Sequence, residues 1–419
     1  MKEEINFGIG FITGRDNICK IINSYYRDIL KQVEELEQKV NFTFYILYDV
    51  NYLNIQEEEF YKIDPEVRKF IKIKHLSPEY VFNKKNEVMY KHGLTEEEAN
   101  LIIGKGYAKS RNSILYDAIE DGIDYLLYWD DDEYPIAAIK EKNGIQWIEQ
   151  KNIVQHIKYI EKVDVTYGHR CGIINPLPYI EYNKIVTEEV YKKFIDAMEN
   201  DAVSWEKIKK VQEKEENIGY ADKRIANYEN VKFNNGEKDS VVYGSGLCLN
   251  LTHIDNIPAF YNPPYARGED TFFSCTLKEI KADVLQIPVY HFHDAFLKYT
   301  FLMDKIYPKR LKRILYRDGG ISLRFRRTTM GWTKYKPLLY YILNKNNYRE
   351  VIDKAKIDLE YSVKEISTLY PDCDVTDLID VLNEYDSNVE KHYEEYMKVN
   401  ELWNKIKYDI KKGDEIKIG

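Results

Sequence analysis

Tyr125-Leu-Leu-Tyr-Trp-Asp-Asp-Asp-Glu-Tyr-Pro135 is the stretch on which the reading of this chain turns. It opens as an apolar run of strand length and passes into three consecutive aspartates, Asp130, Asp131 and Asp132. A buried strand of an open α/β sheet delivers ligands to the crevice beyond its carboxyl end. Carboxylates placed there suit hard cations such as Mg²⁺ or Mn²⁺. If the extended backbone persists through the triplet, Asp130 and Asp132 share a face and converge on one ion, with Asp131 on the other face. A strand closed by an acidic turn gives the same letters with no ion, because aspartate is common where strands stop.

Working back from that stretch, Ile5–Thr13 reads as a first strand, closed by the turn Gly14-Arg15-Asp16-Asn17. Apolar residues then recur at helical spacing from Ile18 to Val40. Phe42–Val50 is a second strand with Asp49 near its end, and Ile71–His75 a short, poorly marked third. Thr95-Glu-Glu-Glu resembles a capping box opening a helical region that runs to Gly122, with Lys109, Arg111 and Asn112 leading its polar face. Strand–helix–strand units with short links predict parallel strands and right-handed crossovers. The fold class expected is therefore α/β, Rossmann-like, with a mainly parallel central sheet flanked by helices. Neither G-x-G-x-x-G nor G-x-x-x-x-G-K-[ST] occurs here, so neither a dinucleotide fingerprint nor a P-loop applies.

Working forward, a helix is expected around Ile145–Glu161, a strand over Val163–Asn175 and a charged, mostly helical insertion over Ile185–Tyr228. Val241–Leu251 returns to strand character, with glycines where a ligand or backbone approaches closely. Tyr261–Arg267 is a loop, Gly268-Glu269-Asp270 opens a helix, and Val284–His293 is a last strand with Asp294 as an N-cap. From about Leu297 the pattern is helical to the end.

The 419 residues, 44% hydrophobic and 31% charged, describe a globular chain long enough for two or more domains. With 61 basic and 70 acidic residues the net charge is −9, which argues against nucleic acid as a partner. The 37 tyrosines accompany abundant lysine, isoleucine and asparagine, a base-composition signature of an AT-rich bacterial genome. Five scattered cysteines form neither a disulfide framework nor a zinc site and fit a reducing compartment. No signal peptide is evident, and no apolar run approaches the roughly 20 residues of a membrane helix, so a cytoplasmic location is expected.

Three further groups carry chemistry. Glu269-Asp270 at a helix start is either a pair favoured by the helix dipole or a general base with its orienting neighbour. His291 and His293, at strand spacing, face one side; they are packed residues or, at the same sheet edge as the aspartates, imidazoles that shift preference toward Mn²⁺. The basic-aromatic segment 310–336 is a solvated helical face, a site for a phosphate-bearing acceptor, or a peripheral contact at the inner face of the cell membrane.

In their order and spacing, Thr13-Gly14-Arg15, Asp49, Gly106-x-Ala108-x-x-Arg111-Asn112, Asp130–Asp132, Gly268-Glu269-Asp270 and the late histidine resemble the GT-A glycosyltransferases, especially the large inverting family-2-like group. The resemblance covers roughly Ile5 to Phe296. It implies a GT-A catalytic domain over 1–296, with a helical insertion at about 180–235, and a C-terminal, mostly helical region over 297–419. It implies a UDP- or GDP-sugar as donor, with Thr13, Arg15, Asp49, Arg111 and Asn112 on the donor side and Asp131 on the ribose or on structure. Asp130 and Asp132 would hold Mn²⁺ or Mg²⁺ on the diphosphate, with His293 or His291 as a further ligand. Asp270 would deprotonate the acceptor hydroxyl for inverting attack, with Glu269 beside it, and Tyr243–Gly246 would line the donor-sugar or acceptor cleft. The acceptor would be a glycan, glycolipid or protein in bacterial surface glycan or glycoconjugate synthesis, and the C-terminal helices offer a homodimer contact. The Gln-x-x-Arg-Trp motif of processive members is not present, which points to single transfer. A retaining GT-A enzyme, a sugar nucleotidyltransferase and a non-catalytic scaffold remain as alternatives.

Overall fold

The protein is described from a computed structural model covering residues 3–173, 176–214, 217–229, 232–233, 242–370 and 372–418. Its strands are β1 (Glu4–Thr13), β2 (Lys39–Tyr48), β3 (Ile71–Leu76), β4 (Tyr125–Tyr128), β5 (Glu133–Tyr134), β6 (Ile136–Glu141), β7 (Gly144–Glu149), β8 (Val165–Ile173), β9 (Lys232–Phe233), β10 (Leu247–Asn250) and β11 (Val284–Asp294). The large sheet runs β3-β2-β1-β4-β10-β8-β11-β5, and β9 pairs with β11 off that path. The pairs β3–β2, β2–β1, β1–β4 and β8–β11 are parallel, while β10 runs against both its neighbours. This is the expected α/β class, a mainly parallel sheet consistent with a GT-A-like fold. Because β1 and β2 pair from Glu4↔Lys39 to Thr13↔Tyr48, their carboxyl ends stop level with each other.

The helices are α1 (Asn17–Val33), α2 (Val67–Phe70), α3 (Pro78–His92), α4 (Glu96–Ile102), α5 (Tyr107–Glu120), α6 (Asn152–Ile160), α7 (Glu188–Ala197), α8 (Trp205–Lys214), α9 (Lys223–Ala226), α10 (Glu269–Glu279), α11 (Ile321–Leu343), α12 (Tyr348–Ser367), α13 (Leu378–Ser387) and α14 (Val389–Ile418). None is long and apolar enough to cross a membrane among the described residues. The Thr95 capping box forms in full: Thr95 Oγ1 accepts from Glu98 N, and Glu98 Oε2 accepts from Thr95 N. Two buried layers sandwich the sheet. On one face Phe7, Ile9, Phe11, Phe44 and Leu127 pack with α1 and α6; on the other Leu126 and Tyr128 pack with α5.

The same second layer runs without a break into Phe325, Trp332, Tyr335 and Leu338 of α11 and Trp403 of α14. The residues beyond 297 therefore complete the core of the sheet rather than form a separate body. At roughly 1.5–3 kcal/mol for each large apolar side chain buried, this contact is a large part of the stability of both regions.

Several expected elements differ. The apolar run from Tyr125 forms a strand only to Tyr128, and the extended backbone does not persist through the triplet: Asp131 accepts from Thr13 Oγ1 and the amide of Asp130 donates to Ser245 Oγ in place of ladder bonds. The helix expected to Val40 ends at Val33, and Lys39–Val40 already belong to β2. The helix expected from Ile145 begins only at Asn152; residues 144–149 pair with β6 in a hairpin, for which Asn143-Gly144 is the turn signal. The helix expected over 95–122 is two, parted by Gly104 and Gly106, both at positive φ. Asp294 caps no helix; its carboxylate accepts from Lys298 N and Tyr299 N in a turn. Asn175 and Val241, expected at strand ends, and part of the insertion lie outside the described residues.

Candidate functional site

The ends of β1, β2 and β4 open into one cleft of about 830 Å³. Thr13, Arg15, Asp49, Arg111, Asp130, Asp131, Asp132, Glu269, Asp270 and His293 all line it. Asn112 and His291 do not, and of the expected Tyr243–Gly246 lining only Tyr243 and Gly244 do. Asn112 is buried below, its amide donating to Ile102 O and Phe260 O and accepting from Phe260 N, so it ties α5 to the loop before α10. His291 is likewise in the core: it meets the Asn152 amide, stacks edge-on against Trp129, and sits where a Cβ on Gly246 would approach its Nε2 to 2.6 Å. Burial pushes its imidazole down to about 3, so the ring is neutral.

The three aspartates have three different environments. Asp131 accepts from Thr13 Oγ1 and from Arg15 Nη1, and its carbonyl accepts from Asn17 Nδ2 at 2.9 Å. It therefore locks the first turn to the end of β4. Asp132 lies 3.4 Å from Arg15 Nη1, 3.3 Å from Arg324 Nη2 and 3.7 Å from His293 Nε2. Burial alone would raise its carboxyl, but His293, Arg15 and Arg324 hold it below the usual range. Asp130 is the most open of the three, its side chain 35% exposed against 9% and 7% for Asp131 and Asp132. Its amide donates to Ser245 Oγ, and its carboxylate lies 3.6 Å from Arg111 Nη2.

Asp130 and Asp132 thus line one cleft while holding different partners. Among the described residues no three His, Cys, Asp or Glu side chains gather as a metal-holding group. The donor chemistry nevertheless fits a divalent ion on one side: Asp132 is ionised, and burial keeps His293 toward the neutral form that has a lone pair to give.

Arg111 is not on the rim beside Thr13 and Asp49. It is sunk in the floor, 4.9 Å over the Tyr128 ring, with its Nε 3.3 Å from Glu269 Oε1. Glu269 and Asp270 begin α10 after Gly268, whose φ of +92° suits glycine. Glu269 is buried and its carboxyl raised by burial and by Asp270. Asp270 is more open, with its two oxygens accepting from Gly244 N at 3.2 Å and Thr271 N at 3.0 Å. Its carboxylate is therefore fixed in direction while facing the cleft.

Other lining residues had no assigned place in the cleft from the sequence, although Arg324 lies in the basic 310–336 segment. Arg170 of β8 lies 3.1 Å from Glu133 and 4.5 Å over the Tyr243 ring. Asp201 accepts from Thr271 Oγ1 and Tyr335 Oη, and burial with Asp270 nearby raises its carboxyl. Arg267 precedes the Gly-Glu-Asp run and Arg324 lies in α11; the proximity of Arg267 to the Glu-Asp pair was the available signal for the first. Most of the basic 310–336 segment is engaged within the chain, with Arg317 on Glu181, Arg326 on Asp377, Arg327 on Tyr52 and Lys336 on two backbone carbonyls. Lys309, Arg310, Lys312 and Arg313 stay exposed.

Fold and site together define an α/β protein whose ligand cleft lies beyond the carboxyl ends of its parallel strands. No family profile and no curated protein matches the chain. Among solved structures, the crystal structure of S. aureus TarS aligns with 95% of this chain and 55% of that one, at 12% identity and a TM-score of 0.31. The chain thus spans about half the length of that protein.

Proposed function

We propose that the chain is a glycosyltransferase that moves a sugar from a nucleotide-diphosphate sugar to an acceptor hydroxyl with inversion at the anomeric carbon. One observation carries this reading: the acidic triplet after β4 and the Glu269-Asp270 pair, far apart in sequence, line one cleft with guanidinium groups between them. In this reading Asp270, held by two backbone N–H groups, takes the proton from the acceptor hydroxyl. The acceptor oxygen bonds to the anomeric carbon as the bond from that carbon to the diphosphate oxygen breaks. Glu269, locked by Arg111, keeps the start of α10 in place. Thr13, Arg15 and Asp49, at the level ends of β1 and β2, take the nucleoside, a UDP or GDP type. Mn²⁺ or Mg²⁺ held by Asp132, His293 and Asp130 would neutralise charge on the departing diphosphate.

A thermal-shift screen of UDP- and GDP-sugars, with and without Mn²⁺, tests this directly. A donor binding the folded state alone raises the midpoint by mass action, and the stabilising sugar identifies the donor. No shift with any nucleotide sugar under either condition overturns the reading.

A further inference from the structure

Arg324 is a cleft cation whose guanidinium the fold leaves incompletely satisfied. It is 19% exposed at the side chain, and among the described residues its only carboxylate contact is Asp132 at 3.3 Å, a group also shared with Arg15. Its Nε is buried and has no hydrogen-bond partner. A buried donor left unpaired is destabilising, and a guanidinium is a planar fork built to bind two oxygens at once.

Arg267 stands on the same wall. Among the described residues it reaches no carboxylate within ion-pair distance; its Nη1 donates to Thr328 Oγ1 at 3.3 Å and its guanidinium lies 5.8 Å from the Tyr107 ring centre. Gly331 of α11 gives it room, since a Cβ there would collide with the arginine stem. Arg15 is matched by Asp131; Arg267 has Glu269, Asp270 and Asp132 in its neighbourhood, but among the described residues only Arg324, with Asp132, makes a direct ion pair from this wall. The buried Nε–H of Arg324 and the fork of Arg267 thus lack the paired acceptor oxygens a guanidinium is shaped for, and an anion in the cleft would supply them.

We propose that Arg324 and Arg267 form the seat of the donor's diphosphate, so that the C-terminal region supplies half of the leaving-group site. This deepens the glycosyltransferase reading and rests on it. The two guanidinium groups come from α11 and from the loop before α10, which clasps the diphosphate between the tail and the sheet edge. Asp132 is the resting partner that Arg324 gives up in part when phosphate oxygens arrive. A phosphate carried by the acceptor has the same chemistry, but the wall is shared with Asp132 and lies beside Arg15 at the end of β1, on the donor side.

The test measures binding of a nucleoside diphosphate and the matching monophosphate, UDP with UMP and GDP with GMP, by calorimetry in EDTA. The full chain is compared with R324A, R324K and R267A, and with R326A, whose arginine pairs with Asp377 on the same helix outside the cleft. The wild type should prefer the diphosphate, and R324A and R267A should lose about tenfold or more of that preference with monophosphate binding kept. R324K should retain part of it and R326A all of it. An unchanged preference in both R324A and R267A, or no preference in the wild type in EDTA, overturns the seat. Diphosphate binding that appears only with Mn²⁺ sinks the seat but leaves the glycosyltransferase reading standing; no nucleotide binding in either medium sinks both.

Discussion

Arg111 Nε lies 3.3 Å from Glu269 Oε1, which ties the middle of the cleft floor to the first turn of α10. Both side chains are nearly removed from solvent, at 6% and 10% exposure, so neither charge survives alone. Breaking one side of a buried pair strands the other and costs about 3–5 kcal/mol. R111A should therefore lower unfolding stability by that amount, read from urea denaturation. E269Q, which keeps the shape and one acceptor oxygen, should cost less than R111A. Equal stabilities for R111A and wild type would show that the pair bears no load.

Asp270 offers a different signature. Its carboxylate is fixed by backbone donors and not by a buried ion pair, so removing it should spare the fold. D270A should lower sugar transfer about 10²- to 10⁴-fold, the usual contribution of a general base, while donor affinity stays close to wild type. Single-turnover transfer alongside calorimetric donor binding separates these two quantities. Loss of donor binding in D270A would move this residue from the acceptor side to the donor side.

Gly244 is the backbone donor to Asp270, and a Cβ there would sit 2.7 Å from Arg111 Nη2 and 3.4 Å from Asp270 Cβ. One methyl group would thus push the floor arginine and the carboxylate apart. G244A should cost about 1–3 kcal/mol of stability, as overpacking does, and should lower transfer more than it lowers donor binding. Denaturation midpoints and transfer rates on the same preparation check both parts.

The sheet was legible because its strands are apolar runs joined by helical periodicity, and β1, β2 and β4 are buried almost throughout. The acidic groups were legible because Asp130–Asp132 and Glu269-Asp270 are contiguous in the chain. What sequence spacing could not give was direction. Asp130 and Asp132 line one cleft but have different partners: Ser245 takes the amide of Asp130 while Arg15 and Arg324 pair with Asp132. His291 and His293 share a strand face, yet one lines the cleft and the other packs under it against Trp129. Asp201 comes from a segment with no motif of its own, and Arg324 and Tyr335, though inside the basic-aromatic segment 310–336, are brought to the cleft only by the packing of α11 over it.

That closure makes a division after residue 296 a poor place to cut. Phe325, Trp332, Tyr335, Leu338 and Trp403 are buried in the layer that also holds Leu126 and Tyr128. A fragment ending at Phe296 would expose that apolar face. It should be insoluble or lack a cooperative thermal transition, measured by near-UV circular dichroism and calorimetry. A well-folded fragment with an unchanged midpoint would contradict the shared core.

Lys336, on the buried side of α11, gives a pH prediction with a definite sign. Its ammonium donates to Asp196 O at 3.2 Å and Glu199 O at 3.0 Å, and burial pushes its pKa from 10.5 down to about 8. The folded protein thus sheds this proton near pH 8, whereas the unfolded chain keeps it to about pH 10.5. Between those values the unfolded state binds more protons, so this group makes stability rise with pH. Below pH 8 both states are charged and the cost of the buried ammonium is present in full; above 10.5 it is gone. The interval corresponds to about 3 kcal/mol. Cysteines and tyrosines also titrate there, so the quantity to measure is the difference from K336M, which cannot ionise. The wild type should gain stability relative to K336M by up to that amount as the pH rises from about 8 toward 10 in urea titrations. A difference that stays flat across this range would mean that the two carbonyls, and not burial, govern the ammonium.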